Sequence, residues 1–461
     1  VPVNILRKTS VSSVSNHAPP QSCHLSASPA QSGRCNCPSG GDTLASRMTS
    51  AGVLSLALFS TLAQPSFAGG LDRGGYNIDL LFDQSRFSAQ AAVIYVMPQR
   101  ELKNVKDTNT RSPLLGGDGN LNGRPNHADD TENYAVPYLG LKAGYEDVDC
   151  LLDYSEPFGA HTNPGINWAG ANNNIETKIE THNYATTCSY KFDVGPGQLR
   201  LIGGAFYQEV EGFKERLVST LPIAMGTGTG VGRLDLADNG WGWRTGIAYE
   251  IPEYGVRASL VYNSRVKYDD LSGTVDLTQV PVVPTYGGKV TNVVGSTEAP
   301  DSLELKVQSG IAPDWLAFGS VKWTNWSVLQ SIALCPTTVT GSCNHSNQLT
   351  SLDLLYQDGW TVTGGIGHKF NEQWTGAVSL TWDRGTSHGY GSQTDSWTVG
   401  VGAAYNPTDN IEWRVAGALG VLTSGSSGVL VQDGVTYGND VSYDFGNDLV
   451  AAVSTSIKVK F

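Results

Sequence analysis

Asp118-Gly119-Asn120-Leu121-Asn122-Gly123, with Asp129 at the twelfth place, sets side-chain oxygens at alternate positions around a glycine turn, the spacing of a calcium loop. Asp stands where such a loop wants a bidentate Glu, and Pro125 holds the eighth place. Asp118, Asn120, Asn122 and Asp129 are therefore candidate ligands, set against a plainer reading as a solvated surface loop. Gly385-Thr386-Ser387-His388-Gly389 fits G-x-S-x-G, but a nucleophile elbow needs a strand–turn–helix setting with Asp and His partners. The eight histidines place no partner at useful spacing from a serine, so no catalytic residue is expected. Gly226, Gly228, Gly230 and Gly232 are too evenly spaced for a dinucleotide fingerprint, and no cofactor is expected.

The elements that must carry any site are strands. In the last eleven residues Ala451, Val453, Ile457, Val459 and Phe461 alternate with small, polar or basic positions. Period two means one face in an apolar medium and the other in a polar one. The same pattern recurs at about 87–99, 135–145, 148–156, 175–192, 197–211, 240–252, 255–269, 302–311, 314–330, 356–370, 373–383, 396–405, 411–422 and 441–461, fourteen segments in all. Trp374, Val378, Leu380 and Trp382 share one face, as do Trp397, Val399, Val401, Ala403 and Tyr405. Aromatics at both ends of an apolar stripe are the girdles expected at two bilayer interfaces. Connections alternate between tight turns, such as Glu146-Asp147 and Asn371-Glu372, and long polar segments at 100–134, 157–174, 212–239, 270–301, 331–355, 384–395 and 423–440. The expected fold is all-β, a transmembrane antiparallel barrel of about 14 strands, because an open sheet edge cannot survive in hydrocarbon.

Bulk numbers agree. The 461 residues are 40% hydrophobic and 16% charged with a net charge of -13, and no stretch after residue 70 offers the ~20 apolar residues of a spanning helix. An acidic balance argues against nucleic acid as a partner. Residues 1–47 read as an upstream extension absent from the mature protein. Met48 to Ala68 reads as a signal peptide, with an apolar run at 51–62 and Ser66-Phe67-Ala68 before Gly69. The exported part runs from Gly69, with a short N-terminal segment at 69–86 and the barrel at 87–461. It keeps Cys150, Cys188, Cys335 and Cys343, an even number for an oxidising compartment. Cys335 and Cys343 suit a loop-closing disulfide, whereas Cys150 and Cys188 lie on neighbouring strands and could pair or stay as free buried thiols.

Trp241-Gly242-Trp243-Arg244-Thr245-Gly246, Tyr262-Asn263-Ser264-Arg265-Val266-Lys267-Tyr268, Val321-Lys322-Trp323-Thr324-Asn325-Trp326 and Asp358-Gly359-Trp360 resemble the FadL/TodX family of outer-membrane transporters, as does Tyr154-Ser155-Glu156-Pro157-Phe158-Gly159. The resemblance implies a bacterial outer-membrane monomer without cofactor. It would take up long-chain fatty acids or similar hydrophobic molecules through an extracellular groove, a barrel interior and a lateral exit. A porin for small polar solutes is the alternative. The family's hatch carries Asn-Pro-Ala, whereas here the corresponding position reads Asn77-Ile78-Asp79 in a shorter plug. Asn77, Ile78, Leu80, Leu81 and Phe82 are its expected lumenal residues. The groove maps to Phe213, Leu217, Leu221, Ile223 and Met225, and the exit to Pro157, Phe158 and Gly159. Strand parity puts Arg244, Arg265, Lys267 and Lys322 on the lumenal face, as cations for a carboxylate.

Overall fold

Alternation along the chain becomes a sheet that closes on itself. In the computed structural model, residues 69–112 and 119–461 are described. The expected extension and signal peptide, and Asp118, lie outside them. The wall runs β1 (Phe87–Pro98), β2 (Tyr134–Tyr145), β3 (Val148–Ser155, resumed as Gly159–Thr162), β4 (Glu176–Val194), β5 (Gly197–Leu217) and β6 (Val231–Ile251). It continues through β7 (Val256–Asn263 and Val266–Asp276), β8 (Val290–Ala299 and Ser302–Ala312), β9 (Trp315–Thr324, resumed as Ser331–Pro336) and β10 (Thr350–Asp353 and Gly359–Lys369). The last four are β11 (Trp374–Asp383), β12 (Ser396–Thr408), β13 (Ile411–Leu422) and β14 (Asp448–Lys460). β1 pairs antiparallel with both β2 and β14, which makes a closed barrel of 14 strands and leaves no edge for hydrocarbon to meet.

Sidedness follows the predicted parity. On β11, Val378 and Leu380 are 41% and 48% exposed, while Ser379 and Thr381 between them are buried. Exposed Leu139, Leu141, Val399, Val401 and Leu419 repeat this around the wall. A water-soluble domain would bury such residues; here they face lipid. Tyr190, Phe192, Trp374 and Trp413 stand exposed near the short-turn rim, and Tyr184, Trp241, Trp243 and Trp397 near the other. Trp374 stacks on Tyr405 across the β11–β12 ladder with ring centroids 4.7 Å apart.

Several strands outrun their expected ends, among them β9 and β10, whose outer parts Ser331–Pro336 and Thr350–Asp353 fall in the segment 331–355 expected as a loop. Segments 212–239 and 270–301, expected as polar loops, are largely strand: β5 runs to Leu217, β6 starts at Val231, β7 reaches Asp276 and β8 starts at Val290. Register explains the extension, with Phe213 opposite Asp235 and Glu215 opposite Arg233, the latter pair ion-paired at 2.8 Å. The long strands rise beyond the upper girdle as an overhang. The expected last strand, 441–461, divides instead into Val441–Phe445, which pairs with Glu101–Asp107 among the long loops, and β14.

Sγ atoms of Cys150 and Cys188, opposite each other on β3 and β4, lie 2.07 Å apart; those of Cys335 and Cys343 lie 2.13 Å apart.

Candidate functional site

The overhang encloses an apolar cavity of about 150 Å³. Leu234 and Leu236 of β6 line it, together with Tyr268 and Leu271 of β7. The short turn between the two halves of β9 gives Trp326 and Leu329, and Leu352 and Leu354 come from the first half of β10 and the residue after it. Phe158 and Leu71 form its lower side. These residues belong to one cluster that is almost entirely shielded from solvent, with Tyr268 at 2% and Trp326 at 1% exposure. Its base is aromatic: Phe158 meets Trp326 edge-on at 5.4 Å, and Tyr76 lies 5.7 Å from Phe158 and 4.9 Å from Phe206.

Polar groups stand at the cavity's upper end. Lys214 lines it and also lines a second space of about 250 Å³, alongside Arg216 and Arg111. Among the described residues, neither Lys214 nor Arg216 has an ion-pair or hydrogen-bond partner. Burial, with the Arg216 guanidinium next in weight, holds the Lys214 ammonium down at about 8. Glu211, Glu298 and Asp353 also line the cavity, and a pair of cations above an apolar chamber suits a hydrocarbon body with an anionic head.

The lumen below the cavity is polar, and the N-terminal segment packs against its wall. Ile78, Leu80, Leu81 and Phe82 are buried against Leu151, Ile202, Ala248 and Val261 of the wall. Three carboxylates tie the segment down. Asp72 meets Lys322, Asp79 lies 3.3 Å from Lys306 and 3.9 Å from Arg257, and Asp83 lies 2.9 Å from Lys458. The Asn77 side chain accepts the Asp79 backbone N–H at 2.9 Å and so shapes the short 3-10 turn Asp79–Phe82. Deeper still, Arg200 joins Asp149 at 2.7 Å and Glu250 at 2.9 Å.

The four predicted cations separate. Arg244 is lumenal and 2% exposed, donates to Thr187 Oγ1 at 3.2 Å, and lies 5.3 Å from both the Tyr76 and Phe206 rings. Lys322 is lumenal but spent on Asp72. Arg265 and Lys267 do not face the lumen. β7 breaks at Ser264-Arg265, so inward positions run Arg257, Ser259, Val261 and Asn263 before the break, then Ser264, Val266 and Tyr268 after it. One residue of slip turns every later side chain over. Arg265 therefore pairs with Glu298 at 2.7 Å and Asp301 at 3.2 Å, and Lys267 is 61% exposed.

The expected groove residues do not gather either. Phe213 touches the cavity from the wall, with the Arg233 guanidinium 3.9 Å over its ring. Leu217 is buried in a separate cluster with Trp168 and Leu102. Leu221 is half-buried, and Ile223 and Met225 are exposed on the five-residue helix Leu221–Met225. Of the exit residues, Pro157 and Phe158 fall in the gap between the two halves of β3, and Gly159 opens its second half. That gap is bridged by the N-terminal segment, as Gly159 N–H donates to Leu71 O at 2.7 Å and Arg73 N–H to Pro157 O at 2.9 Å.

In the proposed calcium loop, Asn122 accepts the Asp107 N–H at 2.8 Å and donates to Asp107 O at 3.0 Å, while Asn120 donates to Thr220 at 3.1 Å. Asp129 sits opposite Glu101 in a short ladder. Among the described residues, no three His, Cys, Asp or Glu side chains gather around a metal-sized space. Ser387 Oγ donates to the carbonyls of Tyr390 at 2.6 Å and Gly391 at 3.1 Å within its loop.

Lys214, Arg216, Tyr268 and Trp326 were not predicted as site residues. For Lys214 and Arg216 the signal is the Lys214/Arg216 and Leu234/Leu236 alternation, which lies in a segment whose charges and glycines read as loop; Tyr268 and Trp326 lie in segments that read as strand.

Known proteins share this fold. The Pseudomonas aeruginosa FadL homologue superposes with a TM-score of 0.65 at 17% identity, covering 83% of this chain and 92% of its own. The Pseudomonas putida toluene transporter TodX superposes at 0.56 and 14% identity, covering 89% and 98%. The long-chain fatty acid transport protein of Escherichia coli K12 is 23% identical over 347 residues, 68% of this chain and 72% of that protein. The model of the family described as outer membrane protein transport protein (OMPP1/FadL/TodX) matches residues 80–426, so this chain belongs to that family of outer-membrane transport proteins.

Proposed function

We propose that the protein takes up long-chain fatty acids, or amphiphiles like them, without an energy source. The observation that carries this reading is the apolar cavity in the overhang with Lys214 and Arg216 unpaired above it. Burying each methylene is worth about 0.8 kcal/mol, so the tail supplies most of the affinity and the cations orient the head. In this reading the segment 69–86 is a plug. Its backbone bridge to Pro157 and Gly159 releases, the gap in β3 opens, and the substrate leaves sideways into lipid rather than through the ion-paired lumen below. The barrel closes on itself and works as a single chain.

A second reading has a specific observation in its favour. A dry apolar space near 150 Å³ accommodates one aromatic ring, so a small aromatic hydrocarbon is the rival substrate.

Native mass spectrometry after mild detergent extraction separates the two, with the wild type compared to a Lys214→Glu/Arg216→Glu variant. Retained alkyl carboxylate on the wild type and its loss in the variant support the fatty acid. Toluene competing equally well against both proteins favours the aromatic. Liposome swelling in sugars, with no lipid retained, would defeat both readings.

A further inference from the structure

Behind the gap in β3 lies a small cavity of about 80 Å³ with both polar and apolar walls, distinct from the one above. Two buried guanidiniums line it, Arg73 of the N-terminal segment at 3% exposure and Arg414 of β13 at 7%. Neither is fully used. Arg73 Nε and Arg414 Nη1 are enclosed and have no hydrogen-bond partner among the described residues. Arg73 lies 4.5 Å over the Tyr134 ring, and Arg414 spends its Nε on Glu412. Buried N–H groups without acceptors are costly and call for a partner.

The rest of the lining fits an anion. Gln90, Ser454 and Ser456 offer neutral donors. Glu156 also lines the space, but its carboxylate accepts the Tyr154 hydroxyl at 2.8 Å and lies 3.7 Å from His182, on the outward side of the wall. Gly159 makes room for the Arg73 side chain: a Cβ there would come within 2.5 Å of Arg73 Nε. Arg73 is also the residue whose backbone N–H closes onto Pro157. The unspent guanidinium and the bridge across the wall gap are thus one residue.

We propose that Arg73 and Arg414 form a carboxylate-receiving subsite at the exit, where the head group of a departing amphiphile rests. This rests on the transport reading above. A planar guanidinium matches a carboxylate in geometry and charge, and a space of this size holds a head group rather than a tail. Occupation places an anion beside the Arg73 bridge, coupling the arrival of cargo to the latch on the β3 gap.

The test uses the whole protein in proteoliposomes with palmitate and hexadecanol, two probes with the same tail and different heads. Arg73→Gln/Arg414→Gln lowers the ratio of palmitate to hexadecanol flux roughly tenfold, the scale of a lost charge-assisted hydrogen bond. Arg73→Lys/Arg414→Lys, which keeps both charges, recovers most of that ratio. An unchanged ratio in the Gln variant overturns the subsite while leaving transport standing, as does an equal loss of both probes repeated in the Lys variant. A wild type that moves neither probe overturns the transport reading and the subsite with it.

Discussion

Within a single strand the molecule turns its chemistry inside out. Along lower β6, Trp243 and Ile247 face outward while Arg244 and Glu250 are buried; farther up the same strand, Leu234 is buried and Arg233 and Asp235 face outward. β7 does likewise, with Leu260 exposed and Arg257 buried below its break, and Lys267 exposed and Val266 and Tyr268 buried above it. The medium outside decides the pattern. Between the girdles it is hydrocarbon, so the polar residues go inward and must satisfy one another as ion pairs. Above them it is water, so the polar residues go outward and the interior is left apolar. A wall that inverts in this way has a greasy chamber sitting on a salt-bridged floor. In the proposed route, the floor denies a hydrophobic ligand the straight path and the β3 gap is the way out.

The contrast can be broken from either side. The largest effect belongs to the floor: Asp79→Ala removes the carboxylate that faces both Lys306 and buried Arg257, and a broken buried ion pair costs about 3–5 kcal/mol. Chemical unfolding in bilayers should show that loss. Between the girdles, Val378→Arg on the exposed face of β11 should cost about 2–4 kcal/mol in the same assay. In the overhang, Lys214→Gln/Arg216→Gln should weaken palmitate binding about tenfold, a change a titration reads directly. A pH series sharpens this. With Lys214 titrating at about 8, the ammonium is present below that pH and lost above it. Palmitate affinity should therefore hold from pH 6 to 7 and fall several-fold by pH 9.5, with hexadecanol flat throughout. The smallest effect is a contrast to Val378: Ala237→Arg, outward on the overhang, should change stability by less than about 0.5 kcal/mol, since that face meets water.

The inversion also explains what the sequence yields to inspection. Period-two stripes flanked by Trp and Tyr mark lipid-facing strands, and all fourteen are legible from them. Above the girdle the outward stripe becomes polar: Lys178, Glu180 and Glu211 still fall in segments that read as strand, but Glu215, Arg233 and Asp235 look like a solvated loop. Lys214 and Arg216 sit in that loop-like stretch, so neither reads as lumenal. Arg265 and Lys267 failed for a different reason. Parity is exact only while register holds, and nothing in Asn263-Ser264-Arg265 announces the slip. Pro157 did announce its break, because proline cannot donate to a ladder. The roles of Asp72, Asp79 and Asp83 were beyond reach, since each partner lies hundreds of residues away in the chain; Asp79 and Lys306 are 227 apart.

Entry of a hydrophobic ligand into the overhang can be seen by anomalous diffraction from crystals grown with a terminally brominated fatty acid. Such entry requires a bromine peak among Tyr268, Leu271, Trp326 and Leu329, with the carboxylate near Lys214 and Arg216. Bromine found only against the outer wall between the girdles, with the cavity empty, would contradict it.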